Sequence, residues 1–494
     1  MKQEYTLKGN GHGKIKSIHY DSRQVEPGSL FVAMEGLHVD GHAYIEKALE
    51  KGASAILHSR ELQQYRQNIP YIKVNHPARA MSSLAAELYE RPSDKLKTIG
   101  ITGTDGKSSS IWFVHQWLEL LGKKSGFIST VEYKTADRVI KNPYRQSTPE
   151  ASEIHKLLYQ MVKNQKEYAC VETTSHGLSP ITSRLADVSF DAVLFTNISH
   201  EHLEFHKTFE NYRKDKANLF RQLKSHSSES FGVVNADDSS AGFFRNSTKA
   251  PVYSFSLENP GATVYGQIEE ISLKGSRFIL SYQEQKYQVS TPLTGIFNVK
   301  NLLAAFLLVI KLSKEPVEKV LEHITTIKPV LGRMMPVNMG QSFTCLIDYA
   351  HTPGAFKSLL PMIRPLIKGK LIMLFGSAGE RDFEKREIQG RLAAQYADII
   401  IITNEDPRQE DEMKIIEDIA RGCGDLAPAK LLLKISDRQE AIKRALSLAS
   451  ENDCVLCLGK SHESSIIKAH GPSPWNEEEA VIKELEKLGH HRSI

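Results

Sequence analysis

The period of the apolar positions changes several times along the chain, and each change marks an element. Leu96-Lys-Thr-Ile-Gly-Ile101 is a short strand-like run that ends in a glycine-rich loop. The next apolar residues, Ile111, Val114, Leu118 and Leu121, recur at steps of three and four and stop at Gly122, which predicts an amphipathic helix closed by glycine. The segment therefore reads strand, glycine loop, helix. Residues 301–312 form a second helical stretch, followed by a polar segment over 313–319. Beyond it, residues 345–347, 371–375, 399–402 and 454–458 are unbroken apolar runs separated by helical patterns. Continuous rather than alternating apolar runs predict strands buried on both faces, hence a parallel sheet covered by helices. Each run ends in polar residues: Asp348-Tyr-Ala-His351, Gly376-Ser-Ala-Gly-Glu-Arg-Asp382, Thr403-Asn-Glu-Asp-Pro-Arg408 and Gly459-Lys-Ser-His-Glu463. In open α/β sheets ligands bind at such carboxyl ends.

Periodicity stops and restarts at residues 90–95 and again at 326–333, which predicts three α/β domains over 1–95, 96–330 and 331–494. The length of 494 residues agrees, at roughly 150 residues per domain. Lys plus Arg number 63 against 59 Asp plus Glu, with 25% charged and 40% hydrophobic residues. That balance excludes a disordered chain and a strongly basic nucleic-acid binder. Residues 1–14 are polar, and no run approaches the roughly 18 apolar residues of a spanning helix; the expectation is a cytoplasmic protein without membrane insertion. The five cysteines are scattered, as in a reducing compartment. Cys454 and Cys457 fall inside a buried apolar run and read as structural.

The strongest chemical signal is Gly100-Ile-Thr-Gly-Thr-Asp-Gly-Lys-Ser108, at the strand-to-helix junction. Glycines there let successive N–H groups and the helix N-terminus face phosphate oxygens, with Lys107 reaching the β/γ-phosphates and the Ser108 hydroxyl a Mg²⁺. Ile101 stands where a standard phosphate loop has its first glycine, so only the tighter Gly103-x-x-Gly-Lys-Ser portion matches. Glu172, after the run 168–171, is a strand-end carboxylate able to hold Mg²⁺. His200, His202 and His206 lie close together, but neither their spacing nor their neighbours fit zinc; the reading is one His beside a phosphate-bound magnesium and the others structural. Lys216 shares a helix face with Tyr212, Leu219 and Phe220, and on that pattern alone it snorkels to water.

Together these motifs resemble the Mur ligase family, ATP-dependent amide-forming enzymes of peptidoglycan precursor synthesis and cell-wall biogenesis, over essentially the whole chain. Asp21-Ser-Arg-x-Val-x-Pro-Gly-x-Leu-Phe-Val-Ala33 and Gly36-x-x-x-Asp-Gly-His42 look like the uridine-binding domain of the MurE and MurF types; Asp348-Tyr-Ala-His-Thr-Pro353 and Gly459-Lys-x-His-Glu463 look like the MurE type. The resemblance implies an N-terminal uridine-nucleotide-binding domain, a central P-loop ATPase-like parallel-sheet domain and a C-terminal Rossmann-like domain. It implies ligation of a third-position diamino acid to UDP-N-acetylmuramoyl-L-Ala-D-Glu through an acyl phosphate, by a monomer needing ATP and Mg²⁺ and no nucleic-acid partner. By the same carry-over Gly103, Thr104, Asp105, Gly106, Lys107 and Ser108 cradle the triphosphate, and Ser108, Glu172 and His202 serve magnesium. Lys216 matches the lysine this family carbamylates, which turns a cation into an anion able to help hold Mg²⁺. Asn298 and Asn301 match the adenine segment, and Arg333 and Asp348 match C-terminal-domain contacts to ATP, implying a nucleotide that bridges two domains and a closure that excludes water. Ser22 and Arg23 match the uridine segment; Ser147, Thr148, Pro149 and Glu150 match the segment facing the muramoyl-dipeptide, and Thr174 a further contact.

The departures are informative. Asp105, Ser108, Glu201 and Ser461 replace Asn, Thr, Asp and Gly, without loss of a required group. Thr182 replaces an Arg that Arg184 supplies by a two-residue shift. Arg381, Gly459 and Glu463 fall in the amino-acid segments, and Glu405-Asp-Pro-Arg408 aligns with the Asp-Asn-Pro-Arg motif of diaminopimelate-adding members. Arg408 can pair with a second carboxylate, which meso-diaminopimelate has and L-lysine or L-ornithine lacks, whereas the extra carboxylate of Asp406 favours an ammonium. The reading leans to diaminopimelate. The competing readings are another Mur-type or folylpolyglutamate-type ligase and a nucleotide-binding regulatory homologue without turnover.

Overall fold

The computed structural model describes residues 4–11, 13–36, 39–144, 146–199, 203–224, 228–424 and 430–491. The chain forms two compact units, one of residues 1–267, 280–287 and 300–323, the other of residues 268–279, 288–299 and 324–494.

The first unit opens with a five-stranded sheet in the order Tyr5–Lys8, Tyr71–Val74, Ala55–His58, Ser29–Val32, Ser17–His19, parallel except for the edge strand Tyr5–Lys8. Successive side chains of a strand point to opposite faces, so Leu30 and Val32 join Met81 and Ala85 in one apolar cluster while Phe31 joins Ile45 and Tyr71 in the other. Both faces are covered. A second sheet carries the parallel order Val252–Ser256, Phe231–Asn235, Ala192–Phe195, Lys97–Thr102, Tyr168–Glu172, Ser125–Ile128. Glu132–Lys134 and Ile140–Lys141 extend it antiparallel at the Ser125–Ile128 edge. The helix Lys107–Leu120 buries Ile111, Val114 and Leu118 as its spacing predicts, and buried Trp117 donates its Nε1–H to the Val320 carbonyl at 2.7 Å.

Register places the chemistry. Glu172 pairs with Ile101 and Phe195 with Thr102, so these three strands end level. The segments that follow them leave the sheet side by side.

The second unit holds a sheet in the order Met335–Pro336, Thr344–Asp348, Cys454–Leu458, Leu371–Phe375, Ile399–Ile402, Leu431–Lys434, parallel except for Met335–Pro336. The four apolar runs of the sequence are its central strands. Met373, Ile400 and Leu456 pack on one face, and Ile372, Ile401 and Val455 on the other. Cys454 and Cys457 lie in the buried strand; desolvation pushes the Cys454 thiol up, and a hydrogen bond with Cys345 together with desolvation pushes up that of Cys457, which keeps both protonated.

One expectation needs correction. The helix Ile296–Ser313 is long and apolar enough by length and composition to span a membrane, although no run of that size was expected. Asn298, Lys300, Asn301 and Lys311 interrupt its apolar character, which hides the stretch from a search for unbroken runs. Because 72% of it is buried inside the protein, core packing accounts for its composition.

Leu374 is fully buried between strands and helices of the second unit. Leu374→Ala is expected to cost about 2–5 kcal/mol, read as a lower denaturant midpoint in the transition that reports that unit.

Candidate functional site

The strand Lys97–Thr102 delivers the chain into residues 103–106, and the helix Lys107–Leu120 takes it out. Gly106 has φ +81°, a left-handed conformation that favours glycine, and a Cβ there would lie 2.5 Å from Asn301 Oδ1. At Gly103 a Cβ would meet Thr196 Oγ1 at 1.9 Å. Both glycines are thus required by close approach of polar side chains. The segment after Ala192–Phe195 fixes the loop: Thr104 N donates to Asn197 O at 2.8 Å, Asp105 N to Asn197 Oδ1 at 2.9 Å, and Thr196 Oγ1 to Asp105 O at 2.6 Å.

Two lysines converge on one oxygen of this loop. The Gly103 carbonyl accepts from Lys107 Nζ at 2.9 Å and from Lys216 Nζ at 2.7 Å, and Lys107 also donates to Thr104 O at 2.7 Å. Lys216 is 2% exposed, with its ammonium 4.6 Å from the Tyr212 ring centre, and Tyr212 shares a hydrogen bond with Thr104 Oγ1. The snorkelling reading of Lys216 is therefore wrong. Its helix Phe209–Arg221 turns the side chain inward, where a carbonyl and an aromatic face compensate the buried charge. Two like charges on one acceptor make a strong local attraction for anions.

Beside them the Ser108 hydroxyl donates to Glu172 Oε2 at 2.9 Å, and Thr130 donates its N–H and hydroxyl to the same carboxylate, each at 2.9 Å. Glu172 is 2% exposed. A hydroxyl and a carboxylate converging next to a phosphate-type loop are the hard oxygen donors that Mg²⁺ takes. His206 is committed elsewhere, to Asp215 through Nδ1 at 2.9 Å and to Ser175 through Nε2 at 3.0 Å. His200 and His202 lie outside the described residues.

The strand end at Glu172 also organises a second cluster. Thr148 Oγ1 donates to Glu172 O at 2.7 Å and accepts from Thr174 N at 3.0 Å. Arg184 donates to Thr148 O at 3.1 Å and pairs with Glu150 at 2.7 Å, so it does reach the Ser147–Glu150 segment, while the Thr182 hydroxyl caps the carbonyl of His176. Burial pushes the Glu150 carboxyl up, against the pull of Arg184. In the N-terminal sheet region Ser22 is buried, and Arg23 pairs with Asp21 at 2.7 Å. Asn301 stands beside Gly106 in the first unit, whereas Asn298 belongs to the second and donates to Thr294 O at 2.9 Å.

In the second unit the polar strand ends also gather. Asp348 accepts from Met334 N and Ala350 N, both at 2.8 Å; burial pushes its carboxyl up. The Arg333 guanidinium lies 5.2 Å over the Tyr349 ring, and Tyr349 donates to Glu463 Oε1 at 3.2 Å. Asp406 Oδ1 accepts from Lys460 Nζ and from Ile467 N, both at 2.8 Å, and fully buried Lys460 also pairs with Glu463. Glu405 is buried, its carboxyl pushed up by desolvation, and its Oε2 accepts no hydrogen bond among the described residues; Arg408 Nε likewise has no acceptor there. Buried polar atoms of this kind ordinarily find partners, which makes this loop a candidate for binding a polar ligand. A Cβ on Gly459 would lie 2.8 Å from Glu405 Oε2, and Arg381 is exposed on the loop after Leu371–Phe375.

Sequence reasoning missed Thr130, Asn197 and Lys460. Asn197 follows an apolar run, a position that could have been read as another strand end. Thr130 and the charge of Lys460 declare themselves only through their partners.

Three family models match the chain: "Mur ligase family, catalytic domain" over residues 14–89, "Mur ligase middle domain" over 101–309, and "Mur ligase, glutamate ligase domain" over 332–461. The UDP-N-acetylmuramyl-tripeptide synthetase of Borreliella burgdorferi is 44% identical over 487 residues, covering 97% of this chain and 95% of its own. The UDP-N-acetylmuramoyl-L-alanyl-D-glutamate–2,6-diaminopimelate ligase of Caldanaerobacter subterraneus is 34% identical, covering 98% and 97%. Among solved structures, one of a UDP-N-acetylmuramoyl-L-alanyl-D-glutamate–2,6-diaminopimelate ligase superposes with a TM-score of 0.68 at 26% identity, covering 96% of each chain.

The Gly106–Asn301 contact gives a thermodynamic cycle. Gly106→Ala is expected to cost about 1–3 kcal/mol from backbone strain and contact together. In an Asn301→Ala background the contact part should disappear and the backbone part remain, as measured by chemical denaturation of the two single variants and the double variant.

Proposed function

The chain belongs to the Mur ligase family, as an ATP-dependent ligase of the tripeptide-synthetase type in peptidoglycan synthesis, and from that premise we propose that it adds meso-diaminopimelate to UDP-N-acetylmuramoyl-L-Ala-D-Glu in the cytoplasm. The reading keeps three domains, over 1–95, 96–330 and 331–494. In this reaction the dipeptide carboxylate is phosphorylated by ATP, and the amine then displaces phosphate from the acyl phosphate through a tetrahedral intermediate.

The residues of the first unit supply what phosphoryl transfer between anions needs, which is positioning and positive charge. Residues 103–108, held by Thr196 and Asn197, form the phosphate cradle. Lys107 and Lys216 bring two cations to it. Ser108 and Glu172 would hold Mg²⁺, with His202 contributing, and the bound ion would neutralise charge between phosphate oxygens. Thr148, Thr174 and Arg184, held to one another by hydrogen bonds, would contact the muramoyl-dipeptide, and Ser22 and Arg23 the uridine. Carbamylation of Lys216, in which its neutral amine adds to CO₂ with loss of a proton, would turn one of the two cations into a magnesium-facing anion.

The choice of amine rests on one observation: Asp406, the residue that would favour a carboxylate-free side chain, already has an internal cation in buried Lys460, which it shares with Glu463. The loop is left with Arg408 and with the carboxyl of Glu405. The distal end of meso-diaminopimelate carries a carboxylate for the first and an ammonium for the second, whereas lysine and ornithine offer only the ammonium.

ATP turnover with the UDP-dipeptide and each of the three amines tests this. Diaminopimelate is expected to exceed L-lysine and L-ornithine in kcat/KM by about a hundredfold or more, and Arg408→Ala should remove most of that preference. Higher turnover with lysine or ornithine would reverse the assignment. Activity should also rise with added bicarbonate in the wild-type protein, and Lys216→Arg, which cannot be carbamylated, should lose both turnover and that dependence.

A further inference from the structure

The second unit contains a closed ion pair that the reaction itself does not use. The side chains of Arg438 and Glu477 are both fully buried. Arg438 Nε donates to Glu477 Oε2 at 2.8 Å and Nη2 to Oε1 at 2.5 Å, while Trp475 Nε1 donates to Glu477 Oε2 at 2.7 Å. The guanidinium is thereby fixed in plane, and its outer edge faces backbone: Nη1 donates to Asn404 O at 2.9 Å and Nη2 to Leu458 O at 2.8 Å.

These two carbonyls belong to strand ends that are not neighbours. Asn404 follows Ile399–Ile402, Leu458 closes Cys454–Leu458, and Leu371–Phe375 runs between the two strands. Among the described residues no ladder hydrogen bond therefore joins the two ends directly, and beyond the last paired residues only side chains tie them together. The chain continues from them into Glu405–Arg408 and Gly459–Glu463, which meet through Asp406 and Lys460 at 2.8 Å and through the tight approach of Glu405 to Gly459.

The geometry points to Arg438, braced by Glu477, as a positioning residue for the diamino-acid pocket: it spans the intervening strand and fixes the separation of the two loops. This rests on the assignment of those loops to the incoming amine and adds the device that holds them in register. A lysine could keep the charge but not the planar fork that serves a carboxylate and two carbonyls at once. Small displacements of recognition groups carry large kinetic costs.

Full-length Arg438→Lys and Glu477→Gln test the assignment, with each of the three substrates varied in turn and the melting temperature recorded. The KM for the amine should rise about tenfold in Arg438→Lys and about threefold in Glu477→Gln, which keeps the guanidinium and both carbonyl bonds; the KM values for ATP and the UDP-dipeptide should not move. A merely structural pair would instead lower the melting temperature and the active fraction, and hence kcat, with all three KM values unchanged. That pattern in Arg438→Lys, or in Glu477→Gln should the lysine variant not fold, overturns the inference. A wild-type protein silent with every amine would overturn the functional reading instead, so the two failures are separable.

Discussion

A parallel sheet covered on both faces leaves its strands no surface on which to place a polar side chain, so chemistry is forced to the carboxyl ends. In both units the fully buried strands obey this constraint, and the functional candidates of Glu172, Asp348, Glu405–Arg408 and Gly459–Glu463 all stand at or just beyond a strand terminus. Register then does the assembling. Because Glu172 pairs with Ile101 and Phe195 with Thr102, three loops distant in sequence become neighbours without any long insertion. The phosphate-type loop, its carboxylate and its clamp are consequences of one hydrogen-bonded alignment.

Within that alignment, charge is placed with little slack. Two lysines share the Gly103 carbonyl, and Glu172 accepts from a hydroxyl on one side and from Thr130 on the other. Burying Lys216 is tolerable because an aromatic face and a carbonyl replace part of its hydration. The second unit compensates buried Lys460 in a similar way, with the carboxylates of Asp406 and Glu463. The Asp406 carboxylate, read in the sequence as favouring an ammonium, accepts in the folded chain from Lys460 and from the Ile467 N–H, bonds that tie together two loops remote in sequence.

This contrast shows what the sequence could and could not disclose. The runs at 371–375, 399–402 and 454–458 are strands with the expected bounds because continuous apolar character has one physical solution at that length. The order of strand, glycine loop and helix around 103–106 was legible because the apolar period changes on either side of the glycines. Lys216 was misread because an isolated lysine on an apolar face has two outcomes, and only the partners across the helix decide between them. Asn197 and Lys460 stand at strand ends, but their partners, like those of Thr130, are remote in sequence, so no local pattern announces what they bind. The helix Ile296–Ser313 escaped notice as a long apolar element because its few polar residues break the run without breaking its burial.

Each unit is assembled from three separate stretches of chain, and the first is completed only by residues 300–323. That late stretch supplies Asn301, against which Gly106 is fitted, and the Val320 carbonyl that receives the Trp117 indole. On a ribosome, synthesis proceeds from the N-terminus and domains tend to fold as their sequence emerges. Here the helix that follows the phosphate loop has its flank exposed, and its tryptophan without its acceptor, until residue 320 has cleared the exit tunnel. The loop at 103–106 and the helix after it therefore reach their final packing only after more than half of the chain has been synthesised.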